Sequence, residues 1–325
     1  MHRLRSVAVD ALSDYPVRPS RVQLLAHAHN TTFRVDCEDG RRFALRVNVN
    51  SRSTAANLDA EMGWLTALAA DTDIVVPTPT ATLEGRLHTS RYFRELDREL
   101  SVVLMSWLPG PDLDRPEAPA IHELGRLMAT MHDHAEGWSL PHGAAFPSHR
   151  DVLVGDPDRL RSGHPLLPAD MHDMIAAALE RTQGHIDEMY AASVPHAIHG
   201  DLHGGNLKRF RRRLAVFDFD DALIGLPLQD LGISAYYLRA AGIDESPLFD
   251  GYASVRPCPE HTSSQFEAVI AGRNLLLLNE ILAAVSVDAV SIRETYVSNA
   301  RRRLGAYLER DVYRFDVPGV VPLSW

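Results

Sequence analysis

Cysteine is nearly absent from the 325-residue sequence, since Cys37 and Cys258 are the only two. Two thiols cannot form a disulfide framework, and they fit a reducing compartment or simple burial. No apolar run reaches the roughly 18 residues of a membrane span, and the longest candidate, 274–285, contains Glu280. Residues 1–14 lack the apolar block and cleavage site of a signal peptide. We therefore expect a cytoplasmic protein with no membrane partner.

Lysine is almost missing as well, because Lys208 stands against 32 arginines. This imbalance indicates a coding bias, so arginine counts alone carry little information. The net charge of −10 argues against a nucleic-acid partner and favours neutral or cationic ones. With 45% hydrophobic and 23% charged residues, the composition is that of a globular chain. A chain of this length predicts about two domains.

The pattern of the first third favours strands with one helix, Ala60–Ala70, and the remainder favours helices. Thr31–Asp36 and Arg42–Val47 flank the turn residues Glu38-Asp39-Gly40, which is a hairpin signal. Leu108-Pro109-Gly110-Pro111 is the clearest break in the chain. Apolar stripes at helical spacing follow it, as in Ile121, Leu124, Met128 and Met131. We expect a small β-rich lobe over 1–105, a hinge over 106–112, and a larger helical lobe over 113–325.

Two short segments between the helices carry the chemistry. In His199-Gly200-Asp201-Leu202-His203-Gly204-Gly205-Asn206, Asp201 and Asn206 lie five residues apart. Twelve residues beyond Asn206, the apolar run Val216-Phe217 ends in Asp218. Carboxylate and amide oxygens suit Mg²⁺ with bound phosphates, and a carboxylate without a metal can accept a hydroxyl proton. Phosphoryl transfer needs these parts together with cations on the phosphates.

These segments make the chain resemble the aminoglycoside phosphotransferase and choline kinase-like enzymes. The family's catalytic loop reads His-Gly-Asp-x-x-x-x-Asn, which His199, Gly200, Asp201 and Asn206 match. Asp218 matches the first residue of the family's Asp-Phe motif, and Phe43–Val47 resembles its phosphate-binding strand. The resemblance runs from about Leu24 to Tyr307. It implies an α+β, protein-kinase-like fold with a small β-rich N-lobe and a larger, mostly helical C-lobe.

The resemblance also implies an activity. The chain would be a phosphotransferase that uses ATP, or GTP, with Mg²⁺ to phosphorylate a small-molecule hydroxyl. An aminoglycoside-like antibiotic, an amino sugar or an amino alcohol would fit, and net acidity favours a cationic acceptor. A monomer or homodimer is expected.

Roles follow for single residues. The base that orients the substrate hydroxyl would be Asp201, and Asn206 and Asp218 would hold Mg²⁺. Arg46 stands in place of the usual lysine, would contact the phosphates and would pair with Glu61, which shares a helix face with Leu65 and Leu68. The remaining nucleotide contacts would come from the glycine-free loop Ala26–Thr32, through Asn30, Thr31 and Thr32, and from the hinge, through Ser106, Trp107 and Leu108.

Several alternatives remain open. A stress-response-type Ser/Thr protein kinase would carry the same motifs. A catalytically silent nucleotide-binding regulator would explain Arg46 and the glycine-free loop, and a metal hydrolase would use His199, Asp201 and His203. Asp230 is expected to cap a helix and to support the catalytic loop. No specific signature marks the acceptor site, for which the candidates are His149, Arg150, Asp151, Glu260, Asn274, Asn279 and Glu280.

Overall fold

A computed structural model describes residues 2–27, 30–49, 53–113, 115–211, 213–284 and 286–321. The chain divides into two compact units, each assembled from three segments. Unit 1 comprises Met1–Asp114, Gly137–Phe146 and Gly204–Asp221. Unit 2 comprises Arg115–Glu136, Pro147–His203 and Ala222–Trp325. The hinge proposed at 106–112 stays a prediction.

Unit 1 is built on one antiparallel sheet of five strands in the order β1-β2-β3-β5-β4. These strands are β1 Pro19–His27, β2 Thr31–Cys37, β3 Arg42–Val47, β4 Thr89–Phe93 and β5 Arg98–Ser106. The predicted hairpin joins β2 to β3, and its turn contains Gly40 at a φ of 83°, a conformation that glycine adopts without steric cost. Register pairs Thr32 with Arg46, which places both side chains on the same face of the sheet.

The opposite face of this sheet is apolar. Phe33, Val35 and Leu45 are buried in a core that the helix α1 (His2–Ala11) also lines. Leu4, Val7, Ala8 and Ala11 supply the buried stripe of α1, at the spacing of one helix face. The sequence pattern predicted mostly strands in this third of the chain, and α1 differs from that prediction.

The helix α2 (Ala55–Asp71) carries Glu61. It begins five residues before the predicted Ala60, because Thr54 and Asn57 form a capping box that satisfies the first amides. Trp64 of α2 packs against Phe219, with their ring centroids 5.5 Å apart. The hairpin of β7 (Leu207–Phe210) and β8 (Arg213–Val216) precedes that phenylalanine. Arg209 and Arg213 lie in its two strands, and Arg212 lies outside the described residues.

Unit 2 is mostly helical. Its helices are α3 Ala118–Gly137, α4 His172–Ala192, α5 Pro227–Ala240, α6 Ser246–Ala253, α7 Ser263–Ala283 and α8 Val287–Arg310. The short strands β6 (His196–Ile198) and β9 (Leu223–Gly225) pair antiparallel beside them. The apolar stripes predicted as helices are confirmed in α3, α4 and α7. Among the described residues, no helix is long and apolar enough to cross a membrane.

Candidate active site

Arg46 and Glu61 form a buried ion pair in unit 1. Both are almost inaccessible to solvent, with relative exposures of 4% and 3%. The guanidinium donates from Nη1 to Oε1 of Glu61 at 2.9 Å and from Nη2 to Oε2 at 2.6 Å. Its Nε donates to Oδ1 of Asn48 at 3.0 Å. Strand β3 and helix α2 therefore hold the planar fork of Arg46 in one orientation.

The charge state of this pair follows from its contacts. Burial disfavours a charged guanidinium, but Glu61, Asp220 and Asp218 outweigh burial and raise the pKa of Arg46. Burial also opposes ionisation of Glu61 and raises its pKa, whereas Arg46 lowers it. The two parallel hydrogen bonds decide for a charged pair, since only a carboxylate accepts both. Unit 1 thus keeps a fixed cation on the polar face of its sheet.

Asp218 lies beside this cation, two residues after the end of β8. Its Oδ1 is 3.9 Å from Nη1 of Arg46, and its φ of 66° is left-handed, a strained conformation for a residue other than glycine. Burial of the carboxyl group, followed by repulsion from the carboxylate of Asp220, raises the pKa of Asp218 well above its usual range, although Arg46 acts to lower it.

The loop between β1 and β2 was predicted to contact phosphates. Asn30 donates from Nδ2 to Oδ2 of Asp220 at 2.6 Å, which ties this loop to the Asp218 segment. Thr32 shares the sheet face of Arg46. Thr31 is fully buried on the other face, where its hydroxyl bonds Nδ1 of His27 at 2.8 Å, and its backbone pairs with strands on both sides. Ala28 and His29 lie outside the described residues.

The proposed adenine contacts lie at the end of β5. The amide of Ser106 donates to the carbonyl of Thr78 at 2.8 Å. The amide of Trp107 donates to the carbonyl of Arg42 at 3.2 Å. Both amides therefore already have acceptors, and Leu108 follows them in the chain. The guanidinium of Arg34 lies over the Trp107 ring, 5.6 Å from its centroid.

Asn206 ends a one-turn 3₁₀ helix, Gly204–Asn206, and is 7% exposed. Its carbonyl accepts a hydrogen bond from the amide of Phe217 at 3.1 Å. This bond links the start of β7 to the residue before Asp218. Unit 1 thus fits a nucleotide with Mg²⁺. The neighbouring carboxylates of Asp218 and Asp220 repel each other, and a divalent cation would offset that repulsion. Arg46 supplies a positive charge for the phosphates.

The first part of the catalytic loop, His199–His203, belongs to unit 2, where Asp230 supports its backbone. The carboxylate of Asp230 accepts from the amide of His199 at 2.9 Å and from that of Gly200 at 2.8 Å. Its Oδ2 also lies 3.0 Å from Nε2 of His132. The predicted support of the loop is therefore confirmed. The predicted helix cap is wrong, because Leu226 occupies the N-cap of α5 and Asp230 lies inside the helix.

Asp201 points toward two helices of unit 2. Its Oδ1 accepts a hydrogen bond from the hydroxyl of Tyr237 on α5 at 3.1 Å, and a second from Nη2 of Arg273 on α7. Burial would raise the pKa of Asp201, but Arg273, with hydrogen bonding from His203, lowers that pKa to about 2. Asp201 is therefore a carboxylate at neutral pH.

His203 packs on Tyr237 with ring centroids 4.4 Å apart, and its Nε2 lies 3.5 Å from Oδ2 of Asp201. His199 is fully buried, and its Nδ1 lies 3.3 Å from the amide of Asp201. In the part of the chain that the structure describes, no group of three His, Cys, Asp or Glu side chains is arranged to hold a metal ion. The hydrolase alternative needs His199, Asp201 and His203 as joint metal ligands, and these three side chains do not form such a group.

Sequence reasoning missed Arg273 and Tyr237. The signal for Arg273 was available, since it interrupts the apolar stripe of Phe266, Ile270, Leu277 and Ile281, as Glu61 interrupts that of α2. Tyr237 gave no signal of its own.

Most acceptor candidates have other partners. Asn274 donates from Nδ2 to the hydroxyl of Tyr296 at 3.1 Å, and Asn279 accepts from the amide of Arg159 at 2.9 Å. Both amides are buried. His149 is buried too, and burial together with the charge of Arg273 lowers its pKa to about 4. Two of the candidates, His149 and Glu280, interact electrostatically with Arg273, which contacts Asp201.

Comparison with known proteins identifies a family. A model of the phosphotransferase enzyme family matches residues 21–261. No functionally curated protein matches the sequence.

Solved structures confirm the protein-kinase-like fold. A microcompartment-associated aminopropanol kinase is similar with a TM-score of 0.79 and 24% identity, over 94% of this chain and 98% of that one. An amicoumacin kinase in complex with AMP-PNP and Ca²⁺ is similar at 0.71 and 17%, over 89% and 90% of the two chains. A thermostable aminoglycoside phosphotransferase in ternary complex with AMP-PNP and hygromycin B is similar at 0.62 and 18%, over 93% and 99%.

Proposed function

We propose, because the chain belongs to the phosphotransferase enzyme family, that it transfers the γ-phosphoryl group of ATP to a hydroxyl group of a small amino alcohol. The observation that carries this proposal is the state of Asp201. Arg273 keeps the Asp201 carboxylate ionised and Tyr237 orients it. Asp230 supports the loop by accepting hydrogen bonds from the loop's backbone amides. A charged, fixed carboxylate is what an acceptor hydroxyl needs as a hydrogen-bond partner.

The proposed reaction uses Asp201 to orient the acceptor. The hydroxyl donates its proton toward the carboxylate while its oxygen forms a bond to the γ-phosphorus, and the bond from that phosphorus to the ADP oxygen breaks. The proton ends on Asp201 and the negative charge leaves on ADP. Because its pKa is about 2, Asp201 is a weak base, so it takes the proton late, which suits a loose transition state.

The nucleotide would be held by unit 1. Arg46 would contact the phosphates with a charge that Glu61 keeps fixed, and Asn206 and Asp218 would hold Mg²⁺. When bound, Mg²⁺ supplies positive charge against the phosphate oxygens. The hinge residues Ser106–Leu108 would face the base.

An amino alcohol is the acceptor that we test first. The aminopropanol kinase resembles this chain over 98% of its own length, so an acceptor of similar size is a reasonable start. The net charge of −10 also favours an amine-bearing compound through charge complementarity.

The test is ADP release and phosphorus NMR with ATP and Mg²⁺ over a panel of acceptors. The panel contains 1-amino-2-propanol, hygromycin B and spectinomycin, together with casein as a protein acceptor, and is repeated with GTP. We expect a phosphorylated amino alcohol, and Asp201→Ala should lower its rate by at least about 100-fold. Asp133→Ala removes an exposed aspartate on α3 and should keep the wild-type rate.

The outcomes separate the alternatives. Phosphate on casein or on the enzyme alone would favour the protein kinase. Nucleotide binding with no transfer to any acceptor would favour the silent regulator. An Asp201→Ala enzyme with wild-type turnover would show that Asp201 is not the base.

A further inference from the structure

A buried arginine reaches the proposed base from a helix 72 positions further along the chain. Arg273 lies in the middle of α7 and is 8% exposed. Its Nη2 donates to Oδ1 of Asp201 and also to the hydroxyl of Tyr237 at 2.6 Å. Its guanidinium lies over the Tyr237 ring, 5.4 Å from the centroid. The arginine is therefore fixed by both a hydrogen bond and a ring face.

Tyr237 closes this arrangement into a triangle. Its hydroxyl accepts from Arg273 and donates to the same Oδ1 of Asp201 at 3.1 Å. Two donors on one oxygen, coming from α5 and α7, leave the carboxylate one favoured orientation. Because the side chains that contact a reacting group decide how tightly it is placed, these two helices determine where Asp201 points.

The titratable and charged groups near Asp201 and Arg273 lie in the loop itself, on α5, on α7 and in the segment before α4. His199 and His203 lie in its own loop, Tyr237 faces it from α5, and Arg273 faces it from α7. Glu280 acts on Arg273 from the same helix, and His149 is affected by Arg273 from the segment before α4. Of these groups, only the guanidinium is a permanent cation at all working pH values. The ionisation of Asp201 thus depends on Arg273 more than on any other neighbour.

We propose that Arg273 is a positioning residue for phosphoryl transfer, which holds the Asp201 carboxylate charged and in one orientation, with Tyr237 as the link between them. This inference rests on the proposed function for its catalytic consequence. The contrasting interpretation is an ordinary structural ion pair that joins α7 to the loop. Breaking a structural pair would also change the protonation of Asp201, but it would lower stability and leave kcat and its pH profile as they are.

The first measurement needs no acceptor. Protein labelled with ¹³C at the aspartate carboxyl carbons is titrated by NMR between about pH 4 and pH 8, and Asp201→Asn assigns the signal. In the wild type the Asp201 signal should stay in its charged position throughout. In Arg273→Gln the remaining burial should raise the pKa, so the signal should titrate within this range. Arg273→Lys, which keeps the charge, should restore the wild-type behaviour. A signal in Arg273→Gln that stays charged down to pH 4 would overturn the proposal.

The second measurement uses transfer to 1-amino-2-propanol. Arg273→Gln should lower kcat by about 100-fold, as a misplaced reacting group does, with little change in KM for ATP. Its rate should also fall on the acid side, where the wild-type rate is flat. Tyr237→Phe should give a smaller loss. A wild-type kcat and pH profile in Arg273→Gln would refute the role.

The matched control is Arg239→Lys on α5. Arg239 is held by Glu245 and Glu267, and the structure gives it no bond to Asp201. Its replacement should lower stability without moving kcat or the Asp201 signal, and an equal loss of kcat in Arg239→Lys would refute a specific role for Arg273. If the wild type binds no nucleotide, the proposed function fails. The NMR titration still tests whether Arg273 keeps Asp201 charged.

Discussion

Arg46 makes three hydrogen bonds that a lysine at the same position could not all make. Its Nη atoms bond both oxygens of Glu61, and its Nε bonds Asn48. Arg46→Ala would leave Glu61 charged and buried, and should lower the free energy of unfolding by about 3–5 kcal/mol. Arg46→Lys keeps the charge but loses the Asn48 bond, which should cost about 1–3 kcal/mol. Urea unfolding of both variants measures these losses.

An exposed pair provides the control for this prediction. Arg41 bonds Asp39, but both side chains are about half exposed, at 56% and 49%. Arg41→Ala should therefore change the free energy of unfolding by less than about 1 kcal/mol. If Arg46→Ala is no more harmful than Arg41→Ala, then the buried pair does not stabilise unit 1.

Single residues of the site could be predicted from the sequence to different degrees. Glu61 was found because a carboxylate on an apolar helix face has to have a partner, and the structure gives it Arg46. Asp201 and Asp218 were found through motif spacing. Arg273 interrupts an apolar stripe in the same way, but its partner lies 72 positions away in the sequence, so the stripe indicates a buried arginine without indicating what it contacts. Neither periodicity nor spacing reports a contact of that kind.

Helices α3 and α6 cross where glycines bring their backbones together. A Cβ atom added at Gly251 would overlap the carbonyl oxygen of His122, and one added at Gly125 would overlap that of Leu248. A backbone atom cannot move aside as a side chain can, so Gly251→Ala should lower the free energy of unfolding by about 1–3 kcal/mol or more. Urea unfolding tests this value, with far-UV circular dichroism to check that the helices remain.

A glycine in α4 offers the opposite expectation for the same substitution. Gly184 is exposed in the middle of that helix, and a Cβ atom there would meet nothing within 4 Å. Gly184→Ala should raise the free energy of unfolding by about 0.5–1 kcal/mol, because alanine loses less conformational freedom in a helix. Equal effects of the two substitutions would mean that the α3–α6 crossing tolerates a side chain.

Secondary structure was predictable where a local signal determines it. The β2–β3 hairpin follows from strand alternation on either side of Gly40, and the helices of unit 2 follow from their apolar stripes. The start of α2 was placed too late, because Thr54 and Asn57 cap it and this cap was overlooked in the sequence. The first helix, α1, was not predicted, although Leu4, Val7, Ala8 and Ala11 have the spacing of a helix face.

The division into units was not predictable by a single cut in the sequence. Unit 1 takes Gly137–Phe146 and Gly204–Asp221 from the later part of the chain. Trp138 and Phe146 belong to it because their rings pack on Trp64 of α2, with centroids 6.3 and 6.1 Å away. Such aromatic contacts between distant segments bury apolar surface without any local sequence pattern. The consequence for function is that Asn206 and Asp218 share a unit with Arg46, whereas Asp201 belongs to the other.

This division predicts how nucleotide binding changes the stability of the wild type and of the variants Asp201→Ala and Asp218→Ala. A ligand that binds only the folded state stabilises it by RT ln(1 + [L]/Kd), which is about 2.7 kcal/mol at roughly 100 Kd. ATP with Mg²⁺ should therefore raise the melting temperature of the wild type. Asp201→Ala should keep this increase, because the nucleotide contacts that we propose lie in unit 1. Asp218→Ala should lose the part that depends on Mg²⁺.

Differential scanning fluorimetry with ATP, GTP and ADP, each with Mg²⁺ or EDTA, measures these shifts. The EDTA samples separate the contribution of the metal from that of the phosphates, which Arg46 would still contact. Loss of the increase in Asp201→Ala would place the base among the nucleotide contacts and would contradict the division of roles between the units. Absence of any increase in the wild type would contradict nucleotide binding, and with it the proposed kinase activity.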